Sequence, residues 1–178
     1  SGEGGILGVV SEKDLFALQR LGVGNIAAAL ADAQDLDTLV TAAEDIRKLA
    51  RMLMAQGLEA EQLTRLVSEL NDQLAQRILY LAFADAGLED ISWCWLALGS
   101  EGRYEQTLLT DQDNGLIFAP PEGTTPDAMR ERLLPVARQV NQWLAACGFS
   151  LCKGEIMAGN PKWCLSLDEW KATFARWI

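Results

Sequence analysis

The hydrophobic periodicity of this chain changes once, near residue 90, and no other feature of its 178 residues restricts the fold as much. Before that point Leu36, Leu39, Val40, Ala43 and Ile46, and again Leu63, Leu66, Val67, Leu70 and Leu74, recur at three- and four-residue steps. That spacing lines one face of an α-helix. Residues 12 to about 88 are therefore read as almost wholly helical, in antiparallel helices punctuated by Gly57 and by Gly87-Leu88-Glu89-Asp90. After the change, residues 91–98 and 116–118, and more weakly 149–156, are short apolar runs that predict strands. A helix separates the second run from the third. Thr125 is its N-cap, Pro126 its first residue, Met129, Leu133, Val136, Val140 and Leu144 its apolar face, and Gly148 its end. Ser166-Leu167-Asp168-Glu169 is a capping box for a last helix with Trp170, Phe174 and Trp177 on one face. The class is α+β, a helical region over residues 21–90 followed by a region over 91–178 that combines strands and helices.

Charge and residue content exclude several function classes. With 15 basic against 25 acidic residues the formal net charge is −10, so nothing supports a general grip on nucleic acid phosphates, and an anion site must be local. No run approaches the roughly 20 apolar residues of a membrane span, and a soluble cytoplasmic protein is expected. The chain has no histidine, which removes Ser-His and Cys-His nucleophilic mechanisms. Cys94, Cys147, Cys152 and Cys164 form no CxxC pair and lie in or beside apolar segments, the pattern of free core thiols in a reducing compartment rather than of zinc ligands. Chemistry is left to carboxylates, metal ions, lysine and arginine.

One segment concentrates such groups: LALGSEGRYEQTLLTDQDNGLIF, residues 96–118. Gly99-Ser100 form a turn at the end of the first strand, and a short helix is expected over Glu101 to Thr107. The N–H groups at its start would attract anions. Gly99 would let a phosphate approach the backbone, Ser100 would donate its hydroxyl, and Arg103 would clamp phosphate oxygens with a fork of donors. Asp111 and Asp113 are two residues apart, so in extended backbone both carboxylates project from one face and Gln112 from the other. Adjacent carboxylates repel unless a divalent cation lies between them; Mg²⁺ is the expected occupant and Mn²⁺ the alternative. Taken alone, Asp-x-Asp-Asn-Gly also reads as a solvated turn. A calcium loop fails, because Gly115 and Leu116 stand at its fifth and sixth positions and Pro120-Pro121 interrupt its exit helix. Gly22-Val23-Gly24-Asn25-Ile26-Ala27 fits a relaxed dinucleotide fingerprint but follows a helical segment and is read as a helix junction.

A strand ending in Gly-Ser, then ten residues, then Asp-x-Asp opening the next strand resembles the signature of the DNA polymerase β-like nucleotidyltransferase superfamily. GSEGRYEQTLLTDQDN is similar, more narrowly, to the nucleotidyltransferase family that accompanies CBS and cyclic-nucleotide-binding domains in bacterial signalling proteins, a relative of the uridylyltransferase of the nitrogen-regulatory PII protein. LNDQLAQRIL and CKGEIMAGNPKW resemble that family too, so the likeness covers most of residues 30–170. It implies a helical bundle packed on a polymerase β-like core with a small mixed sheet flanked by helices. It also implies Mg²⁺-dependent transfer of a nucleoside monophosphate group from a nucleoside triphosphate to a protein or small-molecule hydroxyl, as a uridylyl- or adenylyltransferase does. Asp111 and Asp113 carry over as catalytic metal ligands, and Gly99, Ser100, Gly102, Arg103 and Lys153 as nucleotide contacts. GGILGVVSEKDLFALQR resembles the closing strand and helix of a CBS domain, with Ser11 as cap, so residues 1–20 are read as the tail of an upstream sensor domain. Trp177-Ile178 interrupts an unfinished aromatic face, and the chain is expected to be a piece of a longer protein truncated at that end.

Active superfamily members add a third carboxylate from a later strand. Glu155 is the candidate here, with Lys153 on the same face of the expected strand; the alternative is a surface residue at a strand end. Two other classes of function therefore remain beside the enzyme. One is a nucleotide-binding regulatory module with little or no transfer; the other is a helical platform for homodimerisation, built on the apolar helices and the Trp170–Phe174–Trp177 face.

Overall fold

The structure, a computed structural model, describes residues 22–84, 86–88, 91–106 and 110–177. The CBS-like tail, Glu89, Asp90 and Thr107 lie outside them. Three helices come first: α1 (Val23–Asp32), α2 (Leu36–Ala55) and α3 (Ala60–Ala84). Gly22 is the N-cap residue of α1, so the glycine-rich GVGNIA stretch opens a helix. Asp35 caps α2 by accepting from the Thr38 N–H at 2.8 Å, and these bonds hold its carboxyl below the ordinary aspartate value. Gly57, at φ +85°, ends α2: its N–H reaches Met54 O while the Leu58 N–H reaches Leu53 O, the pair of bonds that lets the chain reverse into α3. The facing stripes are those of the sequence, with Leu39, Ile46, Leu70, Leu74 and Ile78 all buried.

The second region contributes β1 (Ser92–Ala97), the single turn α4 (Gly99–Gly102), β2 (Asn114–Ala119), α5 (Pro126–Ala146), β3 (Cys164–Ser166) and α6 (Leu167–Trp177). The sheet is mixed, as expected: β2 is central, antiparallel to β1 with Trp93 opposite Phe118, and parallel to β3 with Leu116 opposite Cys164. Thr125 caps α5 by accepting from the Ala128 N–H, and Gly148, at φ +97°, ends it. The capping box of α6 forms in full. The Ser166 N–H donates to Glu169 Oε2 at 2.7 Å, and the Glu169 N–H donates to Ser166 Oγ at 3.3 Å.

Two expectations need correction. The short helix after β1 spans Gly99–Gly102, starting two residues before Glu101, because the Gly102 N–H already bonds Leu98 O. Residues 149–156 form no strand. Ser150 makes one parallel bridge with Asp111, after which the chain turns, with the Glu155 N–H bonding Cys152 O. The edge of β2 that this run would have paired with is shared among several segments: the Asn114 N–H donates to Ile156 O, the Leu116 N–H to Trp163 O, and Cys164–Ser166 continue as β3. A three-residue strand directly before a capping box has no periodicity to announce it.

The helical region and the sheet share one buried cluster that runs from Ile26 and Leu39 through Ile78 to Leu116, Phe118 and Leu133. Phe83 of α3 stacks on Trp93 of β1 with centroids 3.9 Å apart, and Arg47 of α2 donates to the Cys147 carbonyl at the end of α5. On the other face of β2, Gly115 leaves room for Trp170, whose ring would stand 2.9 Å from a Cβ placed there and whose Nε1 donates to Leu116 O. Trp170 is 2 % exposed, so Trp170→Ala should lower unfolding stability by about 3–5 kcal/mol in urea titration, through lost burial and an empty space against the sheet.

Candidate active site

The site is built where β1 ends and β2 begins. Leu98 is extended and donates its N–H to Asp113 O at 2.9 Å, which brings the two chain segments together. Gly99 then turns with φ +55°, a region that disfavours side chains, and a Cβ there would collide with Asp113 Oδ2. Gly102 is needed on steric grounds alone on the other side of the turn, where a Cβ would stand 2.6 Å from Ala97 O. Gly99 thus lets the start of α4 pack against the Asp113 carboxylate, and Gly102 lets the turn close on the end of β1. Ser100 Oγ faces Thr110 Oγ1 at 3.4 Å.

Alternation along 111–113 is as the sequence implies: Asp111 is exposed, Gln112 is buried and Asp113 is half-buried. What Gln112 meets is the notable part. Its Nε2 donates to Asn141 O at 2.9 Å and Phe149 O at 3.0 Å, and its Oε1 accepts from Asn141 Nδ2 at 2.9 Å. Asn141 Nδ2 also donates to Asn114 Oδ1, which accepts in turn from the Ala158 N–H. The aspartates flanking Gln112 are therefore anchored to α5 and to the 149–158 segment by a buried amide network. Asp111 and Asp113 offer oxygens, and Cys152 its sulfur, all within 4.8 Å of one another; among the described residues this is the only such group of three.

The other expected residues are distributed around this centre. Arg103 is exposed and pairs with Glu105 at 2.8 Å. Both lie on the rim of a cleft of about 720 Å³ between the loop after α4 and the polar face of α3, with Arg65, Asp72 and Gln76 across it. Lys153 and Glu155 are exposed in the turn after Cys152, and Glu155 is not a member of the three-ligand group. It adopts φ +54°, lies on a groove with Arg138 and Asn160, and accepts at its backbone carbonyl from Asn160 Nδ2. Left-handed backbone at two side-chain-bearing residues near the site, Tyr104 (φ +57°) and Glu155, is a form of strain that often clusters around functional sites.

Sequence reasoning missed Cys152, Glu101 and the amide network. Cys152 lies far from the aspartates along the chain, and no motif links them. Glu101 is the half-buried carboxyl of α4. Burial first, then the charges of Asp72 and Asp113, push it up to about 7 from an ordinary 4.5. Asp72 is itself raised, by burial and by the charge of Glu69. A glutamate beside glycine and serine reads as surface unless the opposing helix is known.

Two outcomes follow from this geometry. Gln112→Leu should cost about 1–3 kcal/mol for each buried amide or carbonyl left without its partner, measured by denaturant unfolding, and should loosen the Asp111–Asp113 spacing. For Glu101, the raised folded value means that the folded state holds the proton more tightly than the unfolded one. Its contribution to stability is full below pH about 4.5 and is lost as pH rises through about 7. Glu101→Gln should therefore flatten the fall in urea midpoint between those two values.

No helix among the described residues is long and apolar enough to cross a membrane. Neither the comparison with curated proteins nor that with solved structures returned a match. Residues 44–178 match the family described as "Putative nucleotidyltransferase DUF294", and the match takes in α3, the Gly-Ser turn, both aspartates and the 152–163 segment. The chain belongs to that family.

Proposed function

We propose that this chain transfers a nucleoside monophosphate group from a nucleoside triphosphate to a hydroxyl on a protein or small molecule, in a signalling protein. The observation that carries the reading is the placing of the Asp113 carboxylate against Gly99 at the start of α4, with Asp111 on the same face. Asp111 and Asp113 would hold Mg²⁺, or Mn²⁺, which when bound would neutralise charge on the triphosphate. The open N–H groups of α4, the Ser100 hydroxyl and the Arg103 guanidinium would hold phosphate oxygens, with Gly99 bringing the turn against Asp113 and Gly102 letting it close on Ala97 O. Arg103 would first exchange its exposed partner Glu105 for phosphate, a small loss for a pair of this kind. Lys153, one residue beyond Cys152, supplies a further cation for the triphosphate. The acceptor oxygen attacks the α-phosphorus, the bond to the β-phosphate oxygen breaks, pyrophosphate leaves, and the hydroxyl proton passes to a carboxylate base. The cleft between α3 and Arg103–Glu105, which shares Arg103 with the cradle, would take the nucleoside or the acceptor.

A second reading has its own support. Glu155, the third carboxylate by sequence, stands outside the ligand group, which favours a module that binds nucleotide with a metal and transfers little. The two are separated by incubating the protein with radiolabelled nucleoside triphosphates, Mg²⁺ and cell extract. Transfer predicts a labelled acceptor, with loss of at least about 100-fold in Asp111→Ala and Asp113→Ala, the equivalent of about 3 kcal/mol in the transition state. The binding module predicts Mg²⁺-dependent nucleotide affinity by calorimetry and no label. Label that persists in both variants would remove the aspartates from the reaction.

A further inference from the structure

We propose that the thiol of Cys152 is the third protein ligand of the cation centre at Asp111 and Asp113, and that it makes this centre prefer a thiophilic divalent cation of the Zn²⁺ kind over Mg²⁺. The inference rests on the reading of the two aspartates as metal ligands. Its geometry is direct: one oxygen from each carboxylate and the Cys152 sulfur lie within 4.8 Å of one another. On a shared tetrahedral ion, with metal–sulfur near 2.3 Å and metal–oxygen near 2.1 Å, a sulfur and an oxygen stand about 3.6 Å apart. With the ligand atoms within 4.8 Å of one another, they need to draw together by no more than about an ångström to share such an ion.

The backbone holds the sulfur at this place. Ser150 pairs with Asp111 in a parallel bridge, with the Gln112 N–H on Ser150 O and the Ser150 N–H on Thr110 O. Two residues further along each segment stand Asp113 and Cys152, whose ligand atoms come within 4.8 Å of each other and of Asp111. The Cys152 carbonyl then accepts from the Glu155 N–H, which fixes the turn that follows. Within the group of three, Cys152 is buried, Asp113 half-buried and Asp111 exposed.

Ligand chemistry then decides the preference. Mg²⁺ takes oxygen ligands and keeps its waters, so it would use the two carboxylates, leave the thiol aside and depend on polyphosphate oxygens to complete its shell. A thiolate suits Zn²⁺ and Cd²⁺. For these ions the chain offers three ligands before any nucleotide arrives. The centre therefore takes a thiophilic cation in the nucleotide-free state and Mg²⁺ chiefly together with the triphosphate.

The test uses the full nucleotide-free chain, titrated with Cd²⁺ while following the thiolate-to-metal charge-transfer absorption, and with Zn²⁺ by calorimetry. The band should appear at one equivalent and vanish in Cys152→Ser, with Zn²⁺ affinity reduced by at least about 10- to 100-fold, since losing even a group that only supports a metal ligand costs that much. Mg²⁺ affinity in the presence of a non-hydrolysable nucleoside triphosphate should change less than about twofold in the same variant, as expected if Mg²⁺ bypasses sulfur. Cys152→Asp, which keeps a ligand but replaces sulfur with oxygen, should raise Mg²⁺ affinity and abolish the band. A band or Zn²⁺ affinity unchanged in Cys152→Ser overturns the thiol assignment while leaving the aspartates in place. Mg²⁺ binding unaffected by Asp111→Asn with Asp113→Asn overturns the metal reading beneath it, and the proposal with it.

Discussion

Asn141 holds the site from beneath. From the middle of α5 its side chain bonds Gln112, Asn114 and the Gly159 N–H, so the helix, the start of β2 and the 149–159 segment are locked to one another through a single buried amide. Gln112 and Asn114 are 1 % and 0 % exposed, and such groups are costly unless paired; the Gln112 amide and the Asn114 Oδ1 are paired, while Asn114 Nδ2 has no partner among the described residues. That cost is what makes the arrangement rigid: a shift of any partner would strand polar atoms in the core. Asp111 and Asp113, which alternate with these amides along the chain, inherit fixed positions although Asp111 itself is open to solvent.

Around that anchor the electrostatics are unfavourable in the folded chain taken by itself. Asp113 faces the α4 turn, Glu101 feels both Asp113 and Asp72, and Asp72 feels Glu69, in a protein that already carries ten more negative than positive charges. A site of this kind gains by binding a cation, and it would gain most from one whose charge reaches several carboxylates at once. Asp72 and Glu69 belong to α3, so the helical region is part of the field around the aspartates and lines the adjoining cleft as well. The packing agrees with this. Arg47 on the Cys147 carbonyl, and Phe83 stacked on Trp93, tie the helices to the sheet region at two separate places.

Much of the secondary structure was legible where a helix carries its own start or stop. Thr125 and the Ser166–Glu169 box open helices, and Gly57 and Gly148 close them with local hydrogen bonds that need no distant partner. The Gly-Ser turn and the alternating aspartates were legible for a similar reason, since period-two geometry places Asp111 and Asp113 together whatever surrounds them. The 149–156 segment was misread as a strand. Its apolar residues serve packing and a single bridge, and the edge of β2 went partly to a three-residue strand further on.

From the sequence alone came the α+β class, the order of the elements, the carboxylate pair and the glycines that let a turn approach it, because all of these depend on neighbours within a few residues. Tertiary structure alone decided that Cys152 joins the aspartates, that Glu155 stands apart from them, that Glu101 is pressed against the charges of α3, and that Gln112 locks onto Asn141. Each of those depends on which distant segments pack together. Chain separation hides such meetings, and burial then sets their energy.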